Sequence, residues 1–110
     1  MQKNHWYKKG RELLNEIDDT ITPTGMIALW YLGQASVVIK TQSTVIYVDP
    51  FLSEYLDAEG KSSRRFPPPF APCDVANASF VLCSHDHIDH LDPETLVPIS
   101  TNSPQAKFIV

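Results

Sequence analysis

The sequence predicts an α/β domain, a mixed β-sheet with flanking helices. Three observations predict it. An amphipathic segment opens the chain, and three runs rich in Val, Ile, Trp and Tyr follow in close succession. A fourth apolar run, Ser79–Cys83, then leads through a polar stretch to Asp92-Pro93-Glu94, a strong helix start. With 110 residues the chain has room for one domain, and 43% hydrophobic with 20% charged residues is globular composition.

The elements follow in order. Residues 4–19 read as a helix, with Trp6, Leu13, Leu14 and Ile17 near one face and Lys8, Lys9, Arg11, Glu12, Glu16 and Asp18 around the rest. Gly10 weakens that helix, and the breaker cluster Thr20–Gly25 ends it. Strands are expected over 26–32, 35–40 and 44–48, forming an antiparallel meander with a tight turn at Gly33-Gln34. Trp30 and Tyr31 are expected in the core. A long loop, 51–78, carries Pro67-Pro68-Pro69 and Pro72, which exclude a helix or central strand through its middle. Glu54–Glu59 has room for one helical turn. A fourth strand covers 79–83. Asp92 is the N-cap of the next helix, Pro93 its first residue, and Pro98 should kink or end it. Residues 107–110 form the last strand.

The net charge of −4 provides no cationic field for nucleic acid. The longest apolar run, Met26–Leu32, is too short to span a bilayer, and the N-terminus lacks the apolar stretch of an export signal. The expectation is a cytoplasmic protein with no membrane partner, and with Cys73 and Cys83 as free thiols.

Three of the four histidines lie in one hexapeptide, His85-Asp86-His87-Ile88-Asp89-His90, while His5 stands alone. In extended backbone, residues two apart point to the same side with Cα atoms roughly 6.6 Å apart. His85 and His87 can therefore converge on one ion. In a helix they would diverge by about 200°. The segment is therefore expected to be a strand end opening into a loop, with Asp89 and His90 projecting from the turn to hold a second ion. Asp92 is assigned to the helix cap and Asp89 to the metal, while for Asp86 ligation, accepting an imidazole N–H and capping all stay open. This spacing between a strand and a capped helix favours a metal site over a polar turn.

These residues fit the H-x-H-x-D-H signature, and here the chain resembles the metallo-β-lactamase superfamily. Met26–Gly33, with its Trp30-Tyr31-Leu32-Gly33 stretch, and Val45–Pro50 look like the opening of the L-ascorbate-6-phosphate lactonase-like branch. The resemblance implies the N-terminal half of an αββα sandwich and one or two ions of Zn2+ or Mn2+. It implies His85 and His87 as ligands of the first metal, and Asp89 and His90 as ligands of the second. Asp49, otherwise the Asp of an Asp-Pro turn, matches an acid that supports the metal-bound histidines.

The family supplies further ligands from a downstream half, whereas this sequence has no histidine after His90. Two protein ligands per ion fall short of the three usual at catalytic zinc. The chain is therefore expected to be an N-terminal piece that needs a C-terminal half or self-associates. The expected function is a metal-dependent, lactonase-like hydrolase acting on a small molecule, anionic or phosphorylated ones among the candidates, with Asp89 orienting the nucleophile or taking its proton. The alternatives are a metal-binding remnant without activity and a phosphodiesterase of the same superfamily. Lys61, Arg64 and Arg65 either meet an anionic group or form a solvated cluster. Cys83 is read as a packing thiol.

Overall fold

The computed structural model describes residues 6–53, 59–60, 67–84 and 91–110. The turn considered at Glu54–Glu59 and the cluster Lys61, Arg64 and Arg65 fall largely or wholly outside these residues. The elements are α1 (Gly10–Asp19), β1 (Ala28–Gly33), β2 (Ser36–Lys40), β3 (Val45–Val48), β4 (Phe80–Leu82), α2 (Pro93–Asn102) and β5 (Lys107–Ile109), with a turn of 3-10 helix at Pro72–Asp74. The strands form one mixed sheet in the order β1-β2-β3-β4-β5. The first three run antiparallel, and β3, β4 and β5 are parallel.

Register explains the packing. Trp30, Val38, Tyr47, Val81 and Phe108 lie opposite one another across the five strands, so they share one face. Val38, Tyr47 and Val81 at its centre are fully buried, in one cluster with Leu13, Leu14 and Ile17 of α1 and Ile99 of α2. Both helices therefore cover this face. The opposite face carries two cross-strand rows, Leu29–Ile39–Ile46–Phe80–Lys107 and Tyr31–Val37–Val48–Leu82–Ile109. Apart from Lys107 it is wholly apolar, yet none of these side chains belongs to the core cluster. Leu29, Tyr31 and Ile109 are 61%, 58% and 55% exposed.

Several details depart from the sequence reading. The helix begins at Gly10, and residues 6–9 are not part of it, because Gly10 adopts φ +61°, outside the right-handed helical region. Its amide donates to the Pro69 carbonyl at 2.6 Å, and Trp6 Nε1 donates to the Pro67 carbonyl at 3.0 Å, so residues 6–10 follow the proline segment instead of a helix. Tyr31 is exposed, because alternation along β1 sends it to the open face. Trp30, on the other face, is half-buried against the core. The first strand begins at Ala28, and the hairpin turn sits on Gln34-Ala35, one residue later than expected. A register shift between Tyr31 and Gly33 extends β1, with Gly33 at φ 94° and Gln34 at φ 54°. Finally, α2 continues past Pro98 to Asn102. Thr95 and Ile99 are fully buried on either side of Pro98, and that packing outweighs its missing hydrogen bond.

A polar cluster ties the start of the chain to the sheet. The Glu16 carboxylate accepts from Lys8 Nζ (2.8 Å), Trp30 Nε1 (2.8 Å) and Tyr7 Oη (2.9 Å). Those hydrogen bonds, Lys8 foremost, hold its pKa down to about 2. Lys40 Nζ donates to the carbonyls of Ile17 (2.6 Å) and Asp18 (2.9 Å), placing a cation at the negative end of α1.

Candidate metal centre

Parallel β3 and β4 end at the same edge of the sheet, the carboxyl edge where open α/β sheets place ligand groups. Asp49 follows β3 directly, and its amide extends the ladder to the Leu82 carbonyl at 2.7 Å. It is a buried carboxylate with φ +46°, a left-handed conformation that Asp tolerates better than most residues. Ser36 on β2 stabilises this turn, its Oγ donating to the Asp49 carbonyl (2.6 Å) and accepting from the Phe51 amide (2.9 Å).

The Asp49 carboxylate is turned onto Ser84. Oδ1 accepts from the Ser84 amide at 2.6 Å, and Oδ2 from Ser84 Oγ at 2.8 Å. Ser84 is the last residue before the histidine hexapeptide in the sequence, and these bonds tie it to the end of β3. Cys83, on the preceding position, is buried. Burial, and then the negative charge of Asp49, push its thiol pKa up, which suits an inert packing residue.

The hexapeptide, with His85, His87, Asp89 and His90 and also Asp86, lies outside the described residues. Among the described residues no group of three His, Cys, Asp or Glu is placed to hold a metal. Beyond the hexapeptide, Asp92 is 1% exposed. Its Oδ1 caps α2 by accepting from the Glu94 amide at 3.2 Å, with Pro93 at the first helical position. Its Oδ2 accepts from Ser53 Oγ and Thr95 Oγ1, each at 2.6 Å, and Thr95 Oγ1 in turn accepts from the Leu52 amide at 2.8 Å.

Sequence reasoning singled out Asp49 and Asp92 but passed over Ser36, Ser53, Ser84 and Thr95. Only Ser84, adjoining the hexapeptide, carried a signal. The others are ordinary hydroxyl residues whose partners lie far away in the chain.

A model of the beta-lactamase superfamily domain matches residues 28–109. The chain belongs to the beta-lactamase superfamily. Its mixed sheet, with helices against one face and an apolar second face, is the N-terminal part of a metallo-β-lactamase fold. The chain is also 32% identical, over 96 residues, to N-acyl-phosphatidylethanolamine-hydrolyzing phospholipase D 1 of Caenorhabditis elegans. That match takes in 84% of this chain and 26% of the relative, so the chain spans about a quarter of the relative's length. The relative is named for a phospholipase activity, not for the lactonase activity that the Trp30–Gly33 stretch suggests. Among the described residues no helix is long and apolar enough to cross a membrane.

Proposed function

We propose that this chain carries the metal-binding edge of a hydrolase acting on a phosphodiester. The observation that carries the reading is the placement of Ser84, the residue that directly precedes the histidine hexapeptide in the sequence. Ser84 follows β4 at the carboxyl edge of the sheet, where both oxygens of a buried aspartate hold it. Three imidazoles and a carboxylate form a donor set that suits zinc or manganese, and a fixed entry beside Asp49 suits a site needing ordered ligands. His85 and His87 would hold one ion, and Asp89 and His90 a second. Such an ion, when bound, supplies Lewis-acid polarisation and a water acidic enough to ionise near neutral pH. In this reading the Asp89 carboxylate also orients the attacking water and takes its proton. Asp49 acts through Ser84, setting where the hexapeptide begins.

The phosphodiester class is favoured over a lactone because the matched relative is a phospholipase D. The lactone reading rests on the resemblance of residues 26–50 alone. The apolar second face of the sheet, with its exposed Leu29, Tyr31 and Ile109, calls for a covering sheet, from further chain or a second copy.

Metal analysis of the purified chain after dialysis against zinc or manganese tests the metal assignment. The wild type should retain metal that His87→Ala loses, and equal content in both would overturn it. With metal loaded and the covering sheet supplied, hydrolysis of bis(p-nitrophenyl) phosphate should exceed that of a simple lactone. The reverse order would restore the lactonase reading, and no turnover of either would leave a metal-binding remnant.

A further inference from the structure

Strand β1 ends the sheet on one side, and the pairing pattern shows which residues present its outer edge. The Thr41 amide donates to the Thr44 carbonyl at 2.9 Å, closing the turn between β2 and β3. Main-chain groups alternate in direction along a strand, so Val38 and Lys40 bond towards β1, and Ala28 and Trp30 opposite them bond back. Leu29 and Tyr31 therefore turn their N–H and C=O groups outward. Among the described residues no main-chain hydrogen bond reaches them from outside the sheet. Their side chains are open as well, on the uncovered face. Natural edges are guarded by lysine, proline or a short strand. β1 has six residues and carries neither charge nor proline, whereas β5 at the other edge has three and starts with Lys107.

The edge borders a groove of about 340 Å³, with Leu29, Trp30 and Tyr31 on one side and Trp6, Tyr7 and Lys8 on the other. The polar ends of these side chains are already engaged. Trp6 donates to Pro67, Trp30, Tyr7 and Lys8 donate to Glu16, and Tyr31 donates to the Gln34 carbonyl. The groove therefore offers ring and aliphatic surface beside open main chain, which suits an added strand.

We propose that β1 pairs edge to edge and antiparallel with β1 of a second copy of this chain, about a two-fold axis at Trp30. The register is self-complementary. With Trp30 opposite its own counterpart, Leu29 falls opposite Tyr31 of the second copy and Tyr31 opposite Leu29. The residues that point outward thus meet in both pairs, and each pair exchanges both N–H···O bonds. A slip of one residue would set Leu29 against Trp30, whose main-chain groups serve β2. Trp30 becomes the non-hydrogen-bonded pair, where side chains approach most closely, and each Tyr31 covers a Leu29. The strand is uncharged, so no like charges meet across it. Tyr7, Leu29 and Tyr31 are 81%, 61% and 58% exposed, with Trp6 and Trp30 half-buried beside them. Together they supply on the order of 1,000 Å² over two copies, the size at which a specific but weak interface begins. The pairing is independent of the metal reading, and it leaves the apolar second face of the sheet available to a covering sheet.

Sedimentation equilibrium across a wide concentration range tests the dimer, and amide exchange followed by NMR locates it. The wild type should pass from monomer to dimer as concentration rises. Exchange at Leu29 and Tyr31 should slow with it, while Trp30, already bonded within the sheet, should not change. Leu29→Pro removes an N–H that faces outward, the placement in which edge strands tolerate proline, and circular dichroism reports whether the fold is kept. Leu29→Lys keeps the main chain and adds the charge that guarded edges carry. Each should weaken the dimer by about tenfold or more. Ile109→Lys places the same charge on the same face at the far edge of the sheet and should leave the dimer unchanged. A monomer at every concentration would overturn the proposal. So would fast exchange at Leu29 and Tyr31 in the dimer, undiminished association of Leu29→Lys, or equal loss in Ile109→Lys, which would place the contact on the open face instead.

Discussion

Gly10→Ala should destabilise the protein, although a helix-propensity argument gives the opposite sign. Gly10 is the first residue of α1, and in a helix interior replacing Gly by Ala gains about 0.8–1 kcal/mol. Here, however, φ is +61°, and a Cβ built on Gly10 meets nothing within 4 Å. The substitution therefore brings neither a clash nor a packing gain, and backbone conformation alone decides it. A left-handed conformation costs a non-glycine residue roughly 1–2 kcal/mol, and the stiffer unfolded chain returns about 0.4–1 kcal/mol. The net is a loss of about 1 kcal/mol, or about 4–8 °C in melting temperature for a domain near this size. Urea denaturation of both proteins, with the slope checked for constancy, provides the measurement. A Gly10→Ala variant more stable than wild type would show that residue 10 is right-handed in solution, and would refute the argument that the amide contact with Pro69 holds it otherwise.

Glu16 makes a pH-dependent contribution. Its pKa falls from 4.5 to about 2 on folding, so its stabilisation is fully present above about pH 4.5 and is lost as the pH falls towards 2. Stability curves of wild type and Glu16→Gln should therefore differ near neutral pH and converge across that window, and a constant gap throughout would contradict the assignment. The cysteines should separate by reactivity. Both are free, Cys73 exposed and Cys83 buried with a raised pKa, so iodoacetamide should label Cys73 in the native protein and Cys83 only on unfolding. Mass spectrometry of the labelled peptides decides it, and equal labelling rates would place Cys83 at an open surface.

The mixed sheet is legible in the sequence because its strands are short β-branched runs punctuated by turn residues, a local signal. The cap at Asp92 is legible for the same reason. Alternation along β1 separates Trp30 from Tyr31, but no local pattern says which of two apolar faces the helices will cover. Both residues therefore look like core from the sequence, and the structure exposes one of them. The start of α1 depends on the Gly10 contact with Pro69, some sixty residues away. The hexapeptide stands out because its chemistry lies in its spacing. Its anchors do not, because Ser36, Ser53 and Thr95 acquire their roles only when separate segments cross at the sheet edge.

The change from antiparallel to parallel pairing at β3 has a consequence for the order of folding. The hairpins β1–β2 and β2–β3 close through short connections, a fast and local event. β4 pairs with β3 across the long sequence separation from Asp49 to Ser79, and that closure must precede the contacts that reward it. The contacts of Asp49 with Ser84 and of Ser53 with Asp92, and the cap of α2, all hang on that crossover, so this edge is among the last parts to form. Substitutions there should chiefly accelerate unfolding, whereas substitutions in the meander should slow folding. Until the crossover closes, β3 presents an unpaired edge of Val45, Ile46, Tyr47 and Val48, a template for another strand. The rate at which 49–79 closes therefore sets how long the nascent chain is open to mispairing.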